Sequence, residues 1–246
     1  MSSSEQFGKT AQAYLTSATH ARGPDLRVLA ELADPRGTEL LLDVGTNVGH
    51  TLRALASRVR YAVGSDVAGQ ALRLNRATTE EPNVSFVEAD AAALPFADAA
   101  FDLVTCRLAA HHFPDPERAF GEMCRVVARD GRLLLIDNYV PEDAALEAWI
   151  NEIEWLRDDS HVRERTLGQE LALIRAAGLE PEVHGHWDTP LETEDWLARS
   201  QTPPDRAERV RALLRGAGPR EREAFAVGPG GGSFVVRKSL ISARRA

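Results

Sequence analysis

Cysteine is nearly absent from this chain: Cys106 and Cys124 are the only two among 246 residues. Their spacing matches neither a redox pair nor a zinc knuckle, so both are expected to be reduced, buried and structural, with no metal site. Long hydrophobic runs are missing too, and nothing approaches the roughly 18 residues needed to span a bilayer. The opening MSSSEQFGKT has no apolar segment behind a basic one, which makes a cytoplasmic protein without membrane insertion the expectation. A surplus of basic charge is also lacking. The net charge is −8, which argues against broad, salt-sensitive attraction to nucleic-acid phosphate or anionic lipid. No internal repeat or low-complexity tract stands out.

What is present suits one soluble globular core, with 43% hydrophobic and 27% charged residues. The length is generous for one domain and short for two, so one core with additions is expected. Apolar stretches of strand length recur at 39–44, 60–66, 84–88, 101–106 and 132–137. Between them, Thr51–Val59, Gly69–Thr78 and Pro116–Val127 carry helical spacing, the last behind an aspartate suited to an N-cap. Strand followed by helix, repeated, predicts an α/β fold with a mostly parallel sheet covered on both faces. Beyond it come helices at Pro141–Arg157 and Thr166–Ala177, a sixth strand at Pro181–Trp187, a polar helical insertion from Leu191 to Phe225, and a last strand behind GPGGGS. That glycine run precedes a strand, so it reads as a hairpin loop rather than a phosphate cradle.

The stretch LLDVGTNVGH at 41–50 places a glycine turn at the carboxyl edge of the first strand, where open α/β sheets bind nucleotide-like ligands. A dinucleotide G-x-G-x-x-G set on Gly45 would need glycine at 47 and 50, where Asn47 and His50 stand. A D-x-G-x-G-x-G register fits better, with Asp43, Gly45 and Gly49 in place and Asn47 as the exception. Asparagine tolerates a positive φ, so the backbone path can survive while the side chain either bonds the ligand or crowds it. A turn that only packs a helix on a strand is the bland alternative. Asp66 closes the second strand about 20 residues on, where an acid accepts from ribose hydroxyls. Asp90, after the third strand, either accepts from an adenine amino group or caps a turn.

The ordered set LLDVGTNVGH, GSDV, EADAAALPF and FDLVTCRLAAHHFPDPERAFGEMCRVVARDGRLLLID resembles the class I S-adenosylmethionine-dependent methyltransferases, in the branch containing the ubiquinone/menaquinone-biosynthesis C-methyltransferases. The likeness spans roughly residues 5 to 190. It implies a Rossmann-like seven-stranded sheet whose last strand is antiparallel, with an N-terminal helix and a helical lid insertion. It also implies a single methyltransferase domain over 1–246, with cap helices at 1–36, a cofactor-binding core at 37–138, an acceptor-pocket and lid region at 139–226 and the last strand at 227–246. Carried over, cofactor binding falls on Gly45, Thr46, Asn47 and Gly49, on Asp66 and Val67, and on Asp90 with Ala91. Tyr14 and His20, in the leading segment, become candidates for the cofactor's polar end. The chain departs from the family at Asn47 and at ARDGR, which replaces a proline-glycine turn before strand five.

Beyond the fourth strand, Arg107 is placed to pair with a methionyl carboxylate or to tie the loop to a neighbouring acid. His111 and His112 are the candidate catalytic residues, His112 first, because a histidine removes a proton from an acceptor near neutral pH. His161 and Arg163 rank below them, and His184 with His186 read as strand residues rather than metal ligands. The acceptor pocket is expected between the first helix, Trp149–Arg163 and the insertion with Trp187 and Trp196, favouring an apolar or planar small molecule. The expectation is methyl transfer from S-adenosylmethionine to carbon or oxygen of such a molecule, with a homodimer compatible. Two alternatives stay open: a non-methylating reaction such as cyclisation or decarboxylation on this fold, and a non-catalytic regulatory module. The turn spacing leaves a nicotinamide-dependent oxidoreductase far behind.

Overall fold

The computed structural model describes residues 4–8 and 23–245, so Tyr14 and His20 lie outside the described residues. The apolar runs form strands β1 (Leu40–Val44), β2 (Tyr61–Asp66), β3 (Val84–Glu88), β4 (Phe101–Arg107) and β5 (Val127–Val140). Helices α1 (Pro24–Ala33), α2 (His50–Ala56), α3 (Gly69–Thr78) and α4 (Pro116–Val126) precede or link them. The chain continues through α5 (Ala144–Arg157), the two-residue β6 (Arg165–Thr166), α6 (Leu167–Ala176), β7 (Glu180–Glu192), α7 (Thr193–Arg199), α8 (Pro204–Arg215), α9 (Pro219–Phe225) and β8 (Ser233–Arg244).

One sheet runs in the order β3-β2-β1-β4-β5-β8-β7, with β6 pairing β5 off that path. The first five strands are parallel, and β8 is antiparallel to both neighbours. The expected seven-stranded Rossmann-like sheet is therefore present, and β6 adds a short eighth strand. Because the chain moves outward from β1 to β3 and then restarts at β4 on the other side, a crevice opens between the carboxyl ends of β1 and β4.

Alternate residues of the central strands face opposite layers, as the period of two demands. Leu41, Leu103 and Leu134 join Leu29, Leu52, Leu55 and Leu72 on one face. Leu42, Val104, Leu133 and Leu135 join Phe120, Met123 and Ile174 on the other. A third apolar cluster lies apart from both: Ile150, Ile153, Trp196, Val210, Leu214 and Phe225 pack on Phe234 and Val236 of β8. The polar insertion is thus amphipathic and has a core of its own.

Two elements differ from their sequence reading. The turn expected at ARDGR is absorbed into β5, where the pairing with β4 shifts register between Phe101 and Leu103. Gly131 permits this, since a Cβ there would sit 2.8 Å from the Asp102 carbonyl oxygen. β7 runs on past Trp187 to Glu192, and it tolerates Pro181 and Pro190 because it is an edge strand. Among the described residues, no helix is long and apolar enough to cross a membrane, and no group of three or more His, Cys, Asp or Glu side chains could hold a metal ion.

Phe234 is 1% exposed and meets Trp196 edge-on at 4.8 Å. Phe234→Ala is expected to lower stability by about 3–5 kcal/mol in urea unfolding. A loss below about 1 kcal/mol would mean that the helical insertion is not fastened to the sheet through β8.

Candidate active site

The glycine turn is held by backbone and carboxylate bonds. Thr46 N donates to the Ser65 carbonyl at 3.0 Å and Gly49 N to the Thr46 carbonyl at 2.7 Å. Asn47 takes the left-handed conformation, φ 44°, that its residue type tolerates. Its amide donates to Asp66 Oδ2 at 2.7 Å, and its carbonyl accepts from Asn75 Nδ2. Gly45, at φ 68°, lies so near the β4 loop that a Cβ would stand 2.5 Å from that of Ala109. Gly49 shapes the turn at φ 76° beside Asn75, but it is on neither cavity wall described below.

Two cavities open at this turn. One is lined by Ser65, Asp66, Val67, Asp90, Ala91 and Phe113. The other is lined by Thr46, His50, Arg107, His111, Asn138, Glu154, Arg157, Trp196, Arg199 and Lys238. Phe7, Gly45, Asn47, Leu108 and His112 belong to both. Leu108 holds a positive φ of 54° at this junction, its amide fixed to the Ile136 carbonyl at 2.7 Å.

In the first cavity, Asp66 Oδ1 and Oδ2 accept from the amides of Ala68 and Asn47. Burial raises its carboxyl above the usual range, against the pull of those bonds. A carboxylate has about four lone-pair positions, and with the Val67 amide also contributing, acceptor capacity still remains for a ligand. Asp90 Oδ1 accepts from Ala92 N at 2.8 Å, the turn-capping role, while the residue still lines the cavity. Asn47 Oδ1 is buried with no hydrogen-bond partner among the described residues.

The second cavity holds the histidines. His111 is clamped by one carboxylate: its ring Nδ1 lies 2.5 Å from Asp137 Oδ1 and its amide 3.0 Å from Oδ2. Burial disfavours the imidazolium, but Asp137 outweighs it and raises His111 to about 9. Burial alone would raise Asp137, yet the His111 charge and bonds from His111 and Asn138 keep it below the usual range. His112 Nδ1 lies 3.0 Å from the Ser160 carbonyl oxygen. A carbonyl only accepts, so that nitrogen carries the proton. Burial, then the adjacent His111 charge, lower His112 to about 4. Phe7 meets the His112 ring edge-on at 4.8 Å. At neutral pH the two adjacent histidines therefore hold different charges.

Arg107 is tied to an acid, with Nε 2.9 Å and Nη2 2.8 Å from Asp25 Oδ2 on α1. It still lines the second cavity. His161 is buried behind the wall and bonds Asn151 Oδ1 through Nε2. Arg163 points outward to Glu147, though its amide bonds the His111 carbonyl. His184 bonds Ser242 and His186 lies against Tyr139, so these two serve separate contacts. Of the three tryptophans expected near the acceptor, only Trp196 lines the cavity; Trp149 stacks near Phe225 in the insertion core. The wall is consequently more charged than an apolar acceptor would require. Sequence reasoning missed Asp25, Asp137, Asn138, Glu154, Arg199 and Lys238. The one available signal was RLLLID, an acid closing strand five much as Asp66 closes strand two.

A methyltransferase-domain family model matches residues 42–135. The uncharacterized methyltransferase YcgJ of Bacillus subtilis is 35% identical over 230 residues, covering 92% of this chain and 91% of that protein. Its crystal structure superposes with a TM-score of 0.87 at 34% identity, over 90% of this chain and 98% of that one. The uncharacterized protein YafE of Escherichia coli is 31% identical over 205 residues, 82% of this chain and 99% of its own length. The demethylmenaquinone methyltransferase of Thermus thermophilus is 38% identical over 130 residues, covering 50% of this chain and 59% of that protein. With such identity to a methyltransferase along nearly its whole length, and with the family's sheet and turn in place, the chain belongs to the class I S-adenosylmethionine-dependent methyltransferases.

Proposed function

We propose that this enzyme moves a methyl group from S-adenosylmethionine to carbon or oxygen of a small metabolite with an apolar or planar body. The observation that carries the reading is the pair of cavities meeting at Gly45, Asn47, Leu108 and His112. One suits a nucleoside, with an acid at its ribose position; the other suits an acceptor beside a titratable pair.

The residues fit the cofactor. Gly45 permits the turn to pack closely on Ala109 while lining both cavities, Asp66 retains acceptor capacity, and Asn47 Oδ1 lacks a partner among the described residues. Gly45, Thr46 and Asn47 would hold its methionyl end, Asp66 and Val67 its ribose, and Asp90 with Ala91 its adenine; Gly49 keeps the turn closed. Bound there, S-adenosylmethionine supplies a methyl group on a cationic sulfur that leaves without acid assistance. Positioning alone can then supply on the order of 7–11 kcal/mol. Arg107, fixed on Asp25, supplies positive charge beside the turn.

The acceptor's proton needs a destination, and we assign it to His111, with His112 as the neutral wall between the cavities. His111 Nδ1–H is engaged by Asp137, which leaves Nε2 to take the proton once the ring is in its free-base form. With its value near 9, His111 matches a weakly acidic oxygen better than His112, near 4. This reverses the order suggested by the sequence.

Calorimetry with S-adenosylhomocysteine is expected to show binding by ligand-free protein, weakened about tenfold or more in Asn47→Gly through loss of one bond to a charged group. No heat at millimolar ligand would overturn the reading. The histidines are checked by NMR titration, with His111 expected to titrate near pH 9 and His112 to stay neutral above pH 5. His111 is raised above a free imidazole, so its pairing stabilises the fold fully below about pH 6.5 and ceases to do so as pH rises through about 9. Asp137→Asn is expected to flatten that alkaline limb in urea unfolding; an unchanged limb would remove the dyad.

A further inference from the structure

We infer that the acceptor is an anion whose acidic group, of the carboxylate class, is met by Lys238 and Arg199 on the wall of the second cavity. This rests on the methyl-transfer reading above.

Lys238 is 5% exposed, yet among the described residues its ammonium makes no hydrogen bond, and its one ion pair, to Asp25 Oδ2, is stretched to 4.0 Å. Asp25 is meanwhile engaged at closer range by Arg107. Burying an ammonium is unfavourable unless it is paired and hydrogen-bonded. Burial pushes the Lys238 amine below its usual range; Asp25 opposes that shift and the nearby Arg107 and Arg199 add to it. Lys238 and Arg199 both line the cavity, as do Arg107, paired with Asp25, and Arg157, paired with Glu154; among the described residues Glu154 is the one acid on its wall. A chain of net charge −8 thus gathers cations around one space, an arrangement suited to an incoming anion.

Two carboxylates could meet this cluster: the cofactor's own and the acceptor's. Lys238 and Arg107 come from strands that are not neighbours in the order β1-β4-β5-β8, yet both reach Asp25 Oδ2, at 4.0 Å and 2.8 Å. Competition with the cofactor is therefore the measurement that tells the two carboxylates apart.

The test uses benzoate and its neutral isostere benzamide, titrated into full-length protein saturated with S-adenosylhomocysteine. Benzoate is expected to bind at least about tenfold more tightly than benzamide. That preference should vanish in Lys238→Met, persist in Lys238→Arg and shrink in Arg199→Met, with homocysteine-nucleoside binding retained throughout as the measure of folding. Equal binding of the two probes, or a preference that survives in Lys238→Met, overturns the inference. So does benzoate that competes with S-adenosylhomocysteine, since the cluster would then serve the cofactor's carboxylate. Failure of S-adenosylhomocysteine itself to bind removes the methyl-transfer reading and this inference with it, whereas its binding without a benzoate preference removes this inference alone.

Discussion

The carboxylate of Asp66 bonds two amides at once, those of Asn47 and Ala68, and the site depends on that bridge. It fastens the turn after β1 to the end of β2 and supports a left-handed residue that carries a side chain. The Asn75 amide group, bonding the Asn47 carbonyl from α3, secures the same peptide from the other side. With both anchors in place, asparagine occupies a glycine position without unwinding the turn. Its oxygen, without a partner among the described residues, is left at the junction of the two cavities.

From that junction the electrostatics divide by strand. On the β2 and β3 side the charged groups are the acids Asp66 and Asp90. On the β4, β5 and β8 side arginine, lysine and histidine predominate, with Glu154 and Asn138 among them. The His111–His112 pair marks the change. One ring is charged because Asp137 clasps it, and the other is neutral because burial and that charge both oppose protonation. Two neighbouring histidines are thereby given different tasks by their surroundings rather than by their chemistry.

The parallel half of the sheet and the glycine turn were legible because their signals are local. Strand lengths, the glycine spacing and the acids at 66 and 90 lie within single βα units, so pattern and position coincide. The second cavity is assembled from residues far apart in the chain, and no spacing announces it. Asp25 comes from α1, Arg199 from the insertion and Lys238 from a strand that had read only as the end of the sheet. Asp137 was within reach, as an acid closing an apolar run, but its meaning required knowing that the histidine loop folds back onto it. The length of β5 was missed for a different reason: a register shift and a glycine admitted a polar ARDGR into a strand.

The helices after β5 wall the second cavity through Trp196 and Arg199 while packing on an apolar cluster distinct from the two that sandwich the parallel strands. Substitutions within that cluster can reshape the second cavity while sparing the glycine turn. Substrate range and donor chemistry can therefore drift separately, which makes the insertion the natural target for retuning selectivity by directed mutagenesis.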